Sequence, residues 1–158
     1  MKLYMEQLFR WGVTQELRDS AGRTRYYLTG DAYSLGKRLH VTDLAGREAI
    51  FIRQAVPSLF PRYEIEAYGR PVGELVKDLT FSRPRCTIEA LGWEVSGSLG
   101  ARAYSISRGG SIVAVSRPDP AEPERMELDL PDPAAELTAL GVMLVINCIF
   151  ADQESKHL

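Results

Sequence analysis

Few side chains in this 158-residue chain could carry acid–base or metal chemistry. The two histidines, His40 and His157, fall in a predicted strand and in the polar tail "ESKHL". A zinc or nucleophilic site needs more partners than these supply. Cys86 and Cys148 lie in different predicted elements and in no CxxC spacing, so they read as buried thiols of a reducing compartment. Glu64, Glu66 and Glu89 alternate with apolar residues. Outward carboxylates two apart could hold a cation, but they are first a solubilising strand face. "SRGGS" at 107–111 is followed by a strand, so it reads as a hairpin turn and not as a phosphate loop. Trp11 and Trp93 read as core or rim residues and not as a stacking platform. The sequence therefore assigns no catalytic residue, metal or cofactor, and the chain reads as non-enzymatic.

Arginine is the residue that recurs with purpose. "YSLGKRLHV" at 33–41, "PSLFPRYEI" at 57–65, "FSRPRCTI" at 81–88 and "GSLGARAYSI" at 97–106 share one phrase. Each is a serine, a stretch with Gly or Pro, an arginine and an apolar-rich strand. If these turns all emerge at one end, Lys37, Arg38, Arg62, Arg83, Arg85 and Arg102 surround one rim. Several guanidinium groups together bind phosphate well, so the rim is a candidate site for anionic phospholipid headgroups or another polyanion. The bland reading is that arginines keep strand ends soluble and unpaired. Arg23, Arg47, Arg70 and Arg108 in the opposite turns favour it.

The elements that must position this rim follow from a second period. Turn glycines at 22, 46, 69, 92 and 110 are spaced by 24, 23, 23 and 18 residues. That interval suits two strands and two turns, so each unit is a β-hairpin. Strands are predicted near 3–9, 13–19, 25–30, 37–43, 48–55, 62–67, 72–78, 84–89, 93–97, 102–107, 112–117 and 125–130. Leu39 and Val41, Tyr63 and Ile65, and Cys86 and Ile88 alternate with polar residues, giving one face to a core. In the fourth phrase Tyr104 and Ile106 share the parity of Arg102, which predicts a bulge or altered register. An open sheet of twelve strands would expose two edges, so closure into a barrel is favoured.

The segment "LPDPAAELTALGVMLVINCIFADQ" ends the chain as a helix. Asp132 suits the N-cap, Pro133 the first helical position, and Glu136 the positive end of the dipole. From Ala139 to Ala151 only Asn147 is strongly polar. A run this short is predicted to lie in a protein core and not to span a bilayer. A twelve-strand lumen is wide enough to need such a filling. Asn147 then requires a hydrogen-bond partner inside.

Composition is that of one soluble domain, with 45% hydrophobic and 25% charged residues. Its net charge of −2 is unevenly placed. Residues 1–117 carry 17 Lys/Arg against 12 Asp/Glu, whereas residues 118–158 carry 2 against 9. The basic excess is too small to imply nucleic acid. "MKLYMEQLFRWG" lacks a signal-peptide apolar region, so the expected location is cytoplasmic, peripheral to a membrane if the rim binds lipid.

The "YSLGKRLHV" block with "DLAGREAIFI", then "YGRPVGEL", "LGWEVSG" and the terminal apolar helix, resembles the LOR family over about residues 1–152. The fold of that family is similar to the C-terminal domain of Tubby proteins and, more distantly, to phospholipid scramblases. The resemblance implies a twelve-stranded barrel wrapped round a C-terminal helix and little about function. Tubby domains bind phosphoinositides, but no headgroup motif matches here. The expectation is thus a mainly β fold, a closed twelve-stranded antiparallel up-and-down β-barrel enclosing a hydrophobic C-terminal helix. It comprises one domain over 1–152, with strands in 3–130, the helix over 133–151 and a polar tail at 153–158. The expected function is a binding or adaptor module for an unknown protein partner or an anionic phospholipid headgroup. The rivals are a scramblase-like membrane-associated protein and a small-ligand carrier or enzyme with an unrecognised pocket.

Overall fold

A computed structural model describes residues 1–32, 36–56, 60–78, 85–88 and 92–151. Twelve strands run in order: β1 (Lys2–Glu6), β2 (Gln15–Asp19), β3 (Thr24–Asp31), β4 (Arg38–Thr42), β5 (Glu48–Gln54) and β6 (Arg62–Ala67), then β7 (Arg70–Asp78), β8 (Arg85–Ile88), β9 (Trp93–Ser98), β10 (Ala103–Arg108), β11 (Ser111–Pro118) and β12 (Arg125–Asp129). Each pairs antiparallel with its sequence neighbour, and β1 also pairs with β12 from Lys2↔Asp129 to Glu6↔Arg125. The Gly/Pro phrases mark strand boundaries to within three residues because those are the positions where period-2 alternation stops.

Two seams in this order are thin. β1 meets β2 at Leu3↔Asp19 and Tyr4↔Arg18, and β8 meets β9 at Thr87↔Glu94 and Ile88↔Trp93. Beyond Tyr4 the buried Gln15 amide spans the first seam, donating to Glu6 Oε2 at 2.8 Å and to the Leu8 carbonyl at 3.2 Å. Of the closed twelve-stranded barrel expected from the sequence, the coarser part holds. What stands is a mainly β fold, an antiparallel sheet curled about one C-terminal helix, with a glutamine side chain spanning the thin β1–β2 seam.

Two turns explain a repeat in the sequence. In "DSAGR" (19–23) and "DLAGR" (43–47), the aspartate Oδ1 accepts the N–H groups of the residues two and four further on. Gly22 and Gly46 supply the left-handed conformation, with φ near +80°. One phrase is written twice because one carboxylate closes the same turn twice.

The helix begins as predicted. Asp132 accepts the Ala134 N–H at 3.0 Å, and Pro133 opens a single 3₁₀ turn, Pro133–Ala135. Then α1 (Glu136–Leu144) passes into a π-helical turn, Val145–Phe150. Every residue from Ala139 to Ala151 is buried. Pro133–Phe150 has a mean hydropathy of 1.8 and is long enough to cross a membrane. That stretch qualifies by length and composition alone, and 67% of it is buried; the apolar run from Ala139 to Ala151 packs against the inward face of the sheet as predicted. Gly141 sits so close to the sheet that a methyl there would come within 2.7 Å of Ile65 Cγ2. Leu39, Val41, Ile50, Ile52, Ile65 and Leu75 complete the inner layer.

Asn147 finds its partners on the strands. Its Oδ1 accepts from Tyr104 Oη at 2.8 Å, and its Nδ2 donates to Ser116 Oγ at 3.2 Å. Ser116 Oγ donates in turn to the Arg102 carbonyl at 2.8 Å, and Arg102 Nε donates to the Asn147 carbonyl at 3.1 Å. The wider π turn falls where this network grips the helix, a place where such turns recur. Cys148, next along the helix, is buried, which pushes its thiol pKa up and leaves it unreactive. Tyr104→Phe removes the hydroxyl that satisfies Asn147 Oδ1. It should lower unfolding free energy by about 1–3 kcal/mol, read as a lower urea midpoint at unchanged slope. An unchanged midpoint would mean that the network does not hold the helix.

Candidate functional site

Alternating connectivity sends the β1–β2, β3–β4, β5–β6, β7–β8, β9–β10 and β11–β12 loops to one end, where the helix also finishes. Three of these loops pack together. Phe9 and Trp11 meet edge to face at 4.9 Å and lie over Gly30, where an added methyl would come within 2.5 Å of the Phe9 ring. Lys37 Nζ stands 5.8 Å from the Trp11 ring centroid, in cation–π range. Gly36, at φ +112°, lies against Val56, with Cγ2 at 3.0 Å from the position of an added Cβ. The Lys37 backbone is tied to Gln54, its N–H donating to Oε1 and its carbonyl accepting the Gln54 N–H, both at 3.0 Å. Described residues of the β1–β2, β3–β4 and β5–β6 loops thus meet, Trp11 with Lys37 and Gly36 with Val56.

The rim residues expected from sequence separate into distinct fates. Lys37, Arg38 and Arg62 lie half-buried at this end. Arg38 is opposite Asp31 and Arg53 in the sheet, and Arg62 Nε pairs with Glu74 Oε1 at 2.9 Å. Arg83 lies outside the described residues; Arg85 forms part of β8, and its side chain also lies outside them. Arg102 is a correction. It is only 6% exposed, and it points inward to the helix and not outward to a ligand. Its left-handed φ of +57° closes the Leu99–Arg102 turn and gives it the inward parity of Tyr104 and Ile106.

A second inward cation was not expected. Lys77 is 6% exposed and lies 5.2 Å from the Phe150 ring centroid. The last turn of the helix carries no basic residue of its own. Lys77 and Arg102 supply positive charge from the strands to its negative end, where cations are favourable. They are therefore parts of the helix seat. Arg10, Leu8, Val13 and Val56, exposed at this end, were not singled out from the sequence, although "QLFRWGV" sets Leu8 and Val13 beside Arg10.

The flanks are electrostatically different. In the β11–β12 loop, Arg125 Nε bonds Asp119 Oδ2 at 2.6 Å, and this bond holds the Asp119 carboxyl below its ordinary pKa. Burial pushes Glu127 up, but hydrogen bonds from Arg117 and Tyr4 outweigh it and its net shift is downward. Two open concavities mark the outer face. One of about 500 Å³ includes Tyr4, Glu16, Arg18 and Arg125; another of about 540 Å³ includes Arg53, Glu64, Glu66 and Glu74. Their arginines already pair with carboxylates: Arg18 with Glu16, Arg53 with Glu64 and Arg125 with Asp119. On the same outer face His40 Nδ1 is 2.7 Å from Glu48 Oε2 and the ring stacks on Phe51. Among the described residues no group of three His, Cys, Asp or Glu could hold a metal ion.

An antiparallel sheet packed around its own C-terminal helix defines the class: a mainly β module whose inward face is covered by its own chain. The chain belongs to the LURP-one-related (LOR) family, whose model matches residues 1–144. It is 27% identical over 160 residues to the uncharacterised protein YxjI of Bacillus subtilis (strain 168), covering all of this chain and 99% of that one. It is also similar in fold to the X-ray structure of an Arabidopsis thaliana protein, with a TM-score of 0.62 at 14% identity. That alignment covers 98% of this chain and 91% of the other.

Proposed function

We propose that this chain is a non-enzymatic binding module for anionic phospholipid headgroups, cytoplasmic and peripheral to the membrane. In this reading the sheet acts as a closed barrel, with the helix as its permanent filling. One observation carries it. The three contiguous stretches 7–14, 32–38 and 55–62 contain Arg10, Lys37, Arg38 and Arg62 and no Asp or Glu. Clustered Lys and Arg attract an anionic surface by about 1 kcal/mol each. The pairing of Arg62 with Glu74 and of Arg10 with Glu6 discounts their shares. A carrier or enzyme with a ligand inside the lumen is disfavoured, because Ala139–Ala151 already occupies it.

The test is co-sedimentation with phosphatidylcholine vesicles, with and without phosphatidylserine, at low and moderate salt. The expected result is salt-sensitive binding to anionic vesicles alone. The triple variant Lys37→Ser/Arg38→Ser/Arg62→Ser should weaken it by roughly tenfold or more while its thermal transition persists. Absence of binding in every condition would remove the lipid reading.

A further inference from the structure

We infer that the basic loop end does not merely touch an anionic bilayer but enters it, with Leu8, Val13 and Val56 passing below the headgroups. This rests on the lipid-binding reading and goes beyond it, since it selects a bilayer over a free headgroup or another soluble polyanion. Leu8 is 72% exposed, Val56 53% and Val13 42%, all in or beside the three stretches that carry the four cations and no carboxylate. A soluble polyanion has no use for exposed leucine and valine. A bilayer uses both parts, phosphates meeting the cations and acyl chains meeting the apolar tips.

The packing suits insertion in three respects. The tips stand beside packed residues, because Phe9 and Trp11 are wedged over Gly30 and Gly36 abuts Val56. Little conformational entropy is then lost on docking. Trp11, half-buried with Lys37 over its ring, is two residues from Val13, and such an aromatic–basic pair is favourable at a membrane interface. The neighbouring β11–β12 loop is acidic, with Asp119, Glu122 and Glu124. It touches the β1–β2 loop, the Gln7 N–H donating to the Glu124 carbonyl at 3.0 Å. Repulsion of that loop from an anionic surface tilts the molecule toward its β3–β6 side. The charge asymmetry therefore specifies an orientation as well as a partner.

The experiment compares wild-type protein with Leu8→Ser/Val56→Ser on phosphatidylserine-containing vesicles, adding glycerophosphoserine as a soluble competitor. A separate Leu8→Trp variant is read by quenching of its new indole with lipids spin-labelled along the acyl chain. The apolar double variant is expected to bind at least about tenfold more weakly. Its deficit should persist at moderate salt, unlike that of the Lys/Arg variants. Glycerophosphoserine should fail to displace the wild type, and acyl-chain labels should quench the introduced indole beyond the level seen for the wild-type tryptophans. If the wild type binds anionic vesicles but the double variant binds equally, or the free headgroup displaces it, or the introduced indole is not quenched, the insertion is wrong while the headgroup reading survives. If the wild type does not bind anionic vesicles, both fall together.

Discussion

Val145→Asp is expected to abolish soluble, cooperatively folded protein. Val145 has no solvent exposure and belongs to the turn that Arg102, Tyr104 and Ser116 fix through Asn147. A carboxylate there must be buried unpaired or the helix must leave the sheet, and either change exceeds about 4–5 kcal/mol. That is comparable with the whole stability of a domain, about 5–15 kcal/mol. Val145→Ala, which leaves only a small cavity, should fold with a loss of about 1–3 kcal/mol. Soluble expression and a denaturant transition for both variants decide the matter. A Val145→Asp protein that unfolds at the wild-type midpoint would show that the helix is not inside the sheet.

Gly97→Ala is expected to have the next largest effect, near 3 kcal/mol or more. Gly97 has φ +124° and lies opposite Tyr104 in the β9–β10 ladder. A methyl there would come within 2.6 Å of the Ala103 carbonyl oxygen and 2.7 Å of Tyr104 Cα. Those are backbone atoms, so relief requires moving β10, which also carries the tyrosine that bonds the helix. Gly46 makes the contrast: its φ is +81°, and a methyl there meets nothing within 4 Å. Gly46→Ala should therefore lose only about 1 kcal/mol, the backbone share alone. Urea midpoints of the two variants separate the steric cost from the conformational one. Equal losses would mean that the sheet at Gly97 yields freely.

Both predictions act through the helix–sheet interface, and the inward cations belong to the same design. Lys77 and Arg102 sit where rim residues would be expected, yet each is turned toward the helix. Arg10 and Lys37 lie in the β1–β2 and β3–β4 loops of this end, with Arg38 and Arg62 at the first positions of β4 and β6. That is why the triple variant uses Arg62 and Lys37 and omits Arg102.

Strand positions, the turn phrases and the buried character of Ala139–Ala151 were legible in the sequence, because each depends on local chemistry. Alternation has period 2 wherever one face is wet, Gly and Asp close tight turns by themselves, and an all-apolar helix has nowhere to go but inward. Even the inward turn of Arg102 left a trace, since its parity matches Tyr104 and Ile106. The trace was ambiguous because parity reports which residues share a face and not which face is the core.

Only the tertiary structure decided which partner each charge would meet. Arg62 reached Glu74, Lys37 reached Trp11 and Asn147 reached Tyr104 across separations of 12, 26 and 43 residues. Such pairings follow from strand register and sheet curvature, which add up small twists over many residues and are written at no single position. The same holds for the thin β1–β2 seam, which a glutamine side chain spans. The sequence determined by itself that a mainly β chain would bury its own last helix. That Arg102 turns inward was settled by the packing of that helix against the strands, because its guanidinium meets the Asn147 carbonyl near the helix end.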